Sequence, residues 1–316
     1  MLVPDHDATL DDLTVTSQDL KRNRLRIPNK THYESYVLRH VPQVTYKHPY
    51  KNKTVINVIR CAILPGENNM RPHVKNTILV GSLFKKSVLS VHKKLNPGNH
   101  SITFSGRNND GSIMHDNHSH AHYIPTDEDD DGFLDTLTVI SSRGFSTEEH
   151  NTLKHVRHIY DGKNVDCETI LIMQGRIDTF RIPMFGRSRR WRSLTPYTLS
   201  KHIKIMSGGR IRNGPESQIA DEIMKRGLPN ARVLVYDGKT KMLGHSSLGT
   251  YGQTIHSGEI DIGRFPAISF RRYRKDGLVG IGSYAIRLEF DTDVQGPISL
   301  GHGSHYGMGL FVPEGT

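Results

Sequence analysis

The sequence predicts an α+β chain of tandem ferredoxin-like (RRM-like) domains that closes on a glycine-rich loop. Three observations lead there. Residues 55–173 alternate apolar elements in the order strand, helix, strand, strand, helix, strand, the order of two split βαβ units. A second helix-and-strand pattern of similar size occupies 185–316. With 316 residues, 35% of them hydrophobic, the chain has material for two ordinary cores. The predicted organisation is an N-terminal extension (1–50), a first ferredoxin-like domain (51–178), then a basic connector with a second ferredoxin-like domain (179–316).

The elements follow in order. Val55–Leu64 is β-branched, apolar and bounded by Pro65-Gly66, which reads as a buried strand. Val74, Ile78, Gly81, Phe84, Val88, Val91 and Leu95 recur every three or four residues, one face of a helix that stops before Asn96-Pro97-Gly98. His120–Ile124 reads as a short strand ending at Pro125, and Phe133–Ser141 as the next. Ser146-Thr147-Glu148-Glu149 is a capping box, and the helix it opens carries Leu153, Val156 and Tyr160. Cys167–Met173 is the following strand. Further on, Pro215 starts a helix that ends at Gly227, with Ile219, Ile223 and Met224 as its apolar face. Ala231–Tyr236, Ala267–Arg272 and Tyr284–Phe290 read as strands, with a Gly/Ser-rich exposed loop at 237–265.

Charge narrows the function. There are 42 Lys and Arg against 32 Asp and Glu, a net charge of +10, together with 19 histidines. A chain so basic is a candidate polyanion binder. Residues 176–212 hold ten Lys or Arg and one acid, Asp178. Within or beside this stretch Arg187, Arg189, Arg190, Arg192, Lys201, Lys204, Arg210 and Arg212 could pair with phosphates. Trp191 could stack on a base. Arg271 and Arg272 form a smaller basic group with Arg274 and Lys275. The alternative is a solvated basic face. No run of residues is long and apolar enough for a membrane span. The N-terminus has no secretory h-region, and two cysteines cannot build a disulfide scaffold, so a reducing cytoplasm is expected.

Three further constellations carry chemistry. His115, His118, His120 and His122 lie within eight residues, and in a strand the last three would share one face. Such a face suits acid–base chemistry or, with a fourth ligand from elsewhere, a metal. Asp127 to Asp135 matches the start of a calcium loop but lacks its closing glutamate, since Thr138 stands there. It reads as an acidic hairpin turn or a weak divalent-cation site. Gly301, His302, Gly303, Ser304, His305, Tyr306, Gly307 and Gly309 form a loop whose glycines could let backbone N–H groups approach a phosphate. It opens no helix, so it is neither a dinucleotide fingerprint nor a P-loop.

Four segments carry a resemblance: SGRNNDGSIMHDNHSHAHYIPTDEDDDGFLDTLTV, RGFSTEEHNTLKHV, NGPESQIADEIMKRGLP and RLEFDTDVQGPISLGHGSHYGMGLFVPE. Together with the tandem units, the chain resembles CRISPR RNA-processing endoribonucleases of the repeat-associated mysterious protein (RAMP) superfamily. Among these it is most similar to the processing half of the fused backbone-and-processing subunit of subtype I-G (formerly I-U) systems. Members carry a further domain before this region, where this chain has residues 1–50.

The resemblance implies binding and cleavage of CRISPR repeat RNA to release guide RNAs. It also implies other type I effector subunits as partners, and neither cofactor nor metal. RNA supplies its own nucleophile, the 2′-hydroxyl, so histidines can serve as base and acid. His118, His120, His122 and His305 are then the catalytic candidates, with His73 as a competitor. A non-catalytic guide-capping subunit and a metal-dependent phosphodiesterase are the alternatives.

Overall fold

The computed structural model describes residues 2–34, 56–67, 70–113, 119–163, 165–205, 207, 211–237 and 283–314. His115, His118, Arg210, the Arg271–Lys275 group, the 237–265 loop beyond Asp237 and the strand expected at 267–272 fall outside these. The N-terminal segment is a small lobe. Strands β1 (Leu2–Pro4) and β2 (Thr31–Tyr33) pair antiparallel around short helices α1 (Leu10–Leu13) and α2 (Ser17–Arg22). Capping boxes start both helices, Thr9 with Asp12 and Thr16 with Asp19. Arg26 reaches Glu168 of the first domain at 3.3 Å.

The first unit is ferredoxin-like. It runs β3 (Val58–Pro65), α3 (Thr77–Leu95), α4 (Ile102–Ser105), β4 (His122–Thr126), β5 (Thr136–Ile140), α5 (Thr147–Lys154), β6 (His158–Tyr160) and β7 (Asp166–Gly175). The antiparallel sheet has the order β4-β5-β3-β7-β6. That is the ferredoxin order with β6 added at one edge. Alternation in β3 puts Ile59, Cys61 and Ile63 under the helices, against Val80, Phe84 and Val88 of α3. Both cysteines are buried there, and burial pushes each thiol up to about 12. Ser146 accepts from Glu149 N–H at 3.2 Å while Glu149 accepts from Ser146 N–H at 2.9 Å, closing the expected capping box.

Two boundaries depart from expectation. Strand β4 begins at His122 and runs through Pro125. A proline is tolerated there because β4 is an edge strand, where one side of the backbone has no ladder partner. Helix α5 ends at Lys154, so Tyr160 lies in β6 with 60% of its surface exposed.

The second unit comprises β8 (Arg187–Ser193), β9 (Tyr197–Thr198), β10 (Lys204–Ile205), β11 (Ile211–Arg212), α6 (Pro215–Lys225), β12 (Ala231–Asp237), β13 (Ser283–Gln295), β14 (Ile298–Ser299) and β15 (Leu310–Pro313). Its main sheet has the order β12-β13-β8-β15-β14. The first four strands repeat the ferredoxin order, so the fold is α+β with two ferredoxin-like sheets. Where a second helix would join β13 to β15, this unit carries the glycine-rich loop.

Two expectations are corrected here. Within the basic stretch, Arg187, Arg189, Arg190 and Arg192 lie in a central strand. Strand β8 pairs with both β13 and β15, and Trp191, opposite Leu288, is wholly buried. Trp191 Nε1–H donates to Ser188 O at 2.9 Å, so this indole is a core side chain and no stacking platform for a base. In α6, Ile219 and Ile223 face the core, whereas Met224 is 71% exposed and lies off the apolar face. The two units meet over a third apolar cluster, in which Leu310 of β15 packs with Val58, Ile124, Ile140, Phe180 and Phe185.

Trp191→Ala leaves a cavity at the centre of the second sheet and is expected to lower unfolding free energy by about 3–5 kcal/mol in urea titrations. A pH effect comes from His92, which is 4% exposed. Its Nδ1 meets Thr152 Oγ1 at 2.9 Å, and its Nε2 is buried with no hydrogen-bond partner among the described residues. Burial holds this imidazole below its ordinary 6.5, so the folded state resists taking the proton that the unfolded chain accepts. The stability due to neutral His92 is complete above pH 6.5 and is lost as the pH falls below that value. The urea midpoint should therefore drop less between pH 7.5 and 5 in His92→Leu than in the parent chain.

Candidate active site

The edge of the first sheet and the end of the second bring three histidines together. His122 opens β4, with Nδ1 3.4 Å from Ser299 Oγ of β14. His120 precedes the strand, its ring lying against Gly106. This glycine has φ +68°, and a Cβ there would come 2.8 Å from His120 Cδ2. His305 arrives from the other unit on a single 3₁₀ turn, Ser304–Tyr306, inside the glycine-rich loop. Its ring stacks on His120 with centroids 4.3 Å apart and planes 9° apart, and meets His122 at 4.2 Å. His120 and His122 stand 6.3 Å apart. The sequence predicts His118, His120 and His122 on one face of a strand; His118 lies outside the described residues, and β4 starts only at His122, so His120 and His305 reach it from loops.

The glycine-rich loop is built differently from an open anion cradle. The Gly301 N–H donates to Glu222 Oε2 at 2.8 Å and the His302 N–H to Thr198 O at 2.8 Å. The amides of Ser304, Tyr306, Gly307, Met308 and Gly309 donate to the carbonyls of Gly301, Gly303, Ser304, Gly303 and Pro196. Most loop amides are thus already engaged by the protein. The glycines serve close packing instead. Gly301 has φ +87°, and a Cβ there would sit 2.6 Å from Thr198 O. Thr195 Oγ1 donates to Gly307 O at 2.6 Å and accepts from Leu310 N–H at 2.9 Å, clamping the loop's exit. Ser304 is buried, and Tyr306 packs over Gly81 of α3. Burial raises the Tyr306 hydroxyl above its usual range.

A cavity of about 640 Å³ opens beside His305, between the start of α3, the loop and α6. Ile78 and Leu79 give it an apolar side, while Lys201, Asp221, Glu222 and His302 give it charge. Lys85, one helical turn beyond Gly81, was not singled out by sequence because it sits among the ordinary polar positions of the helix. Its Nζ donates to Ser105 O at 3.0 Å, next to the glycine that abuts His120. Burial, with Arg107 nearby, lowers its pKa. Glu222 was also missed, since an acid on a surface helix gives no signal of the loop amide it meets.

The basic residues divide into groups. Arg190 and Arg192 share a face of β8 with Arg287 of β13, which stands directly opposite Arg192. Arg287 pairs with Glu314 at 2.5 Å and lies 6.0 Å over the Tyr236 ring. Arg187 and Arg189 share Asp293 at 4.0 and 3.7 Å. Lys204 and Arg212 face each other across the β10–β11 hairpin. Like charges directly opposite are unfavourable in a sheet; Glu314 offsets the Arg192–Arg287 pair, and Lys204–Arg212 is a second such pair.

His73 caps the turn before α3, its Nδ1 accepting from Lys75 N–H at 3.1 Å and its ring meeting Phe133 edge-on at 5.7 Å. Among the described residues one group of three has metal-ligand spacing: Asp127, Asp129 and Asp135. It lies beyond the opposite end of β4 from His122. Asp127 accepts from Gly132 N–H at 2.8 Å, and Asp135 accepts from Glu128 N–H at 2.7 Å. These carboxylates build the expected acidic hairpin turn, which Arg71 and Arg60 neutralise in part. No helix of the described residues is long and apolar enough to cross a membrane.

No family model matches the sequence, and no curated protein matches it. Solved structures do show likeness. One described as a RAMP protein binding different RNA substrates is 12% identical, with a TM-score of 0.38 over 81% of this chain and 98% of that one. A Cas6 product complex is 13% identical, with a TM-score of 0.35 over 83% and 100%. The product of a Cas6-related gene from Pyrococcus furiosus is 10% identical, with a TM-score of 0.38 over 83% and 100%. Superpositions this loose define no residue equivalences, so the site is read from this chain's own side chains.

Gly106→Ala tests the packing behind His120. The left-handed backbone alone costs about 1–2 kcal/mol for a residue with a Cβ. The added methyl should also move the His120 ring, read as a shift of its Hε1 resonance with the fold otherwise retained.

Proposed function

We propose that this chain is a CRISPR RNA-processing endoribonuclease of the RAMP superfamily, which cleaves repeat RNA to release guide RNAs. The observation that carries this reading is the convergence of His120, His122 and His305 where the two units meet. Clustered imidazoles offer both a base and an acid near neutral pH. The strong positive charge of the chain and the Lys204–Arg212 pair of its second unit favour a polyanion. Four quoted segments of sequence support the narrower likeness to the processing half of the subtype I-G fused subunit. Guide RNA and other type I effector subunits are then the partners.

In this mechanism one histidine accepts the proton of a 2′-hydroxyl, whose oxygen forms a bond to the adjacent phosphorus. The bond from phosphorus to the 5′-oxygen breaks, and that oxygen takes a proton from a second histidine. The products are a 2′,3′-cyclic phosphate and a 5′-hydroxyl. His305 touches both other rings, so His305 and His122 are assigned as the acid–base pair, with His120 stacked behind; His118 belongs to the same segment. Lys85 supplies positive charge toward the phosphorane. Arg187, Arg189, Arg190, Arg192, Lys201, Lys204 and Arg212 contact RNA phosphates. His302, Tyr306 and the glycines at 301, 303, 307 and 309 shape the surface against which the backbone lies. Each role is filled by a group of the chain itself, and no metal enters a step.

The test is cleavage of the cognate repeat RNA in excess EDTA, beside a substrate carrying 2′-deoxy at the scissile nucleotide. The RNA should be cut and the deoxy control should not. His305→Ala and His122→Ala should each lower kcat by about 10²–10⁴-fold with little change in RNA affinity. Tight binding with intact RNA would sink the nuclease reading and favour a guide-capping subunit. Activity abolished by EDTA would favour a metal-dependent phosphodiesterase.

A further inference from the structure

A carboxylate from a helix meets the loop that carries His305, and the geometry points to that group, Glu222, as a positioning residue for the histidine cluster. Glu222 lies on α6, two turns from its start, and splits its carboxylate between two donors. Oε2 accepts from Gly301 N–H at 2.8 Å and Oε1 accepts from Arg226 Nη2 at 2.5 Å, an i,i+4 pair. Both side chains are largely removed from solvent, at 18% and 14% exposure, and Glu222 also borders the cavity beside His305.

What Glu222 holds is the loop's entry. Gly301 has φ +87° and lies against Thr198 O and the Tyr197 ring, where no Cβ fits. The next amide, His302 N–H, is taken by Thr198 O at 2.8 Å. From that anchored point the chain makes its single 3₁₀ turn, and His305 lands 4.3 Å from His120 and 4.2 Å from His122. At the exit the loop is clamped by Thr195. The entry clamp is therefore Glu222, and the exit clamp lies outside α6. Without the carboxylate the Gly301 amide loses its partner, and the three-residue path to His305 gains freedom. A displacement of about 1 Å at a reacting group can cost 10²-fold in rate. Arg226 offsets the negative charge, which would otherwise stand beside a site built for phosphate. Glu222 does not touch the rings itself.

The kinetic arm of the test rests on the cleavage reading above; the spectroscopic arm does not. Glu222→Ala, Glu222→Asp and Glu222→Gln are compared with the parent chain, each checked for an unchanged melting temperature. A glutamine still offers an oxygen to Gly301 N–H, whereas alanine and the shorter aspartate do not reach it. Stacking on His120 should shift the His305 Hε1 resonance upfield. That shift is expected to collapse in the alanine and aspartate variants and to survive in the glutamine variant. On repeat RNA, kcat should fall by about tenfold to a hundredfold in the first two. Affinity for the uncleavable deoxy substrate should stay within about threefold, and the glutamine variant should recover most of the rate. An unmoved His305 resonance in folded Glu222→Ala or Glu222→Asp overturns the proposal, as does loss of affinity in step with loss of rate. If the parent chain does not cleave RNA, the nuclease reading fails while the resonance still decides the role of Glu222.

Discussion

The arrangement depends on how the segment from Gly301 to Gly309 passes between two folded units, backbone against backbone at several points. Gly81 of α3 meets the Tyr306 backbone, Gly301 meets Thr198 O, and Thr195 clamps Gly307 and Leu310. Close approach of backbone to backbone is what glycine permits and other residues forbid. Because the loop is wedged in this way, one histidine of the second unit is delivered to the sheet edge of the first. A helix in this position, as in an ordinary ferredoxin-like unit, would put bulkier side chains against α3.

The loop's hydrogen bonding changes the sense of its glycines. A glycine-rich segment near histidines suggests backbone amides turned toward a phosphate. Here most of those amides close on Thr198, Pro196, Glu222 and the loop's own carbonyls. The loop is a hydrogen-bonded mount for a side chain, and in the proposed function the charge for an anion comes from lysine and arginine side chains. Arginines on β8 illustrate the division. The even positions Arg190 and Arg192 lie on the face opposite the core, while Trp191 between them fills the second core. One strand thus provides a hydrophobic anchor and a cationic face, because successive residues point to opposite sides.

Much of the first unit is legible along the chain. Apolar periodicity locates β3, α3, β5 and β7, and Ser146 with Glu149 marks the start of α5 through the physics of unsatisfied helix amides. The acidic hairpin at 127–135 is equally local, since short carboxylates bond to amides a few residues away. The second unit is less legible. In β8 a run of arginines hides the period of two, and only pairing with β13 and β15 reveals a central strand. Tyr160 and Met224 mislead because an apolar residue at helical spacing is compatible with solvent when the helix ends early or turns slightly.

The net positive charge, the ferredoxin order of the first unit and the two histidine-bearing segments were legible along the chain, because each depends on composition or short-range spacing. The folded chain adds that His305 stacks on His120, that Trp191 is core, that Lys85 bonds Ser105 and that Glu222 accepts from Gly301 N–H. These are contacts between residues far apart in the chain, set by how two sheets dock over Leu310, Val58 and Ile124. Local propensity carries no information about such docking, because it depends on the shapes of two finished surfaces.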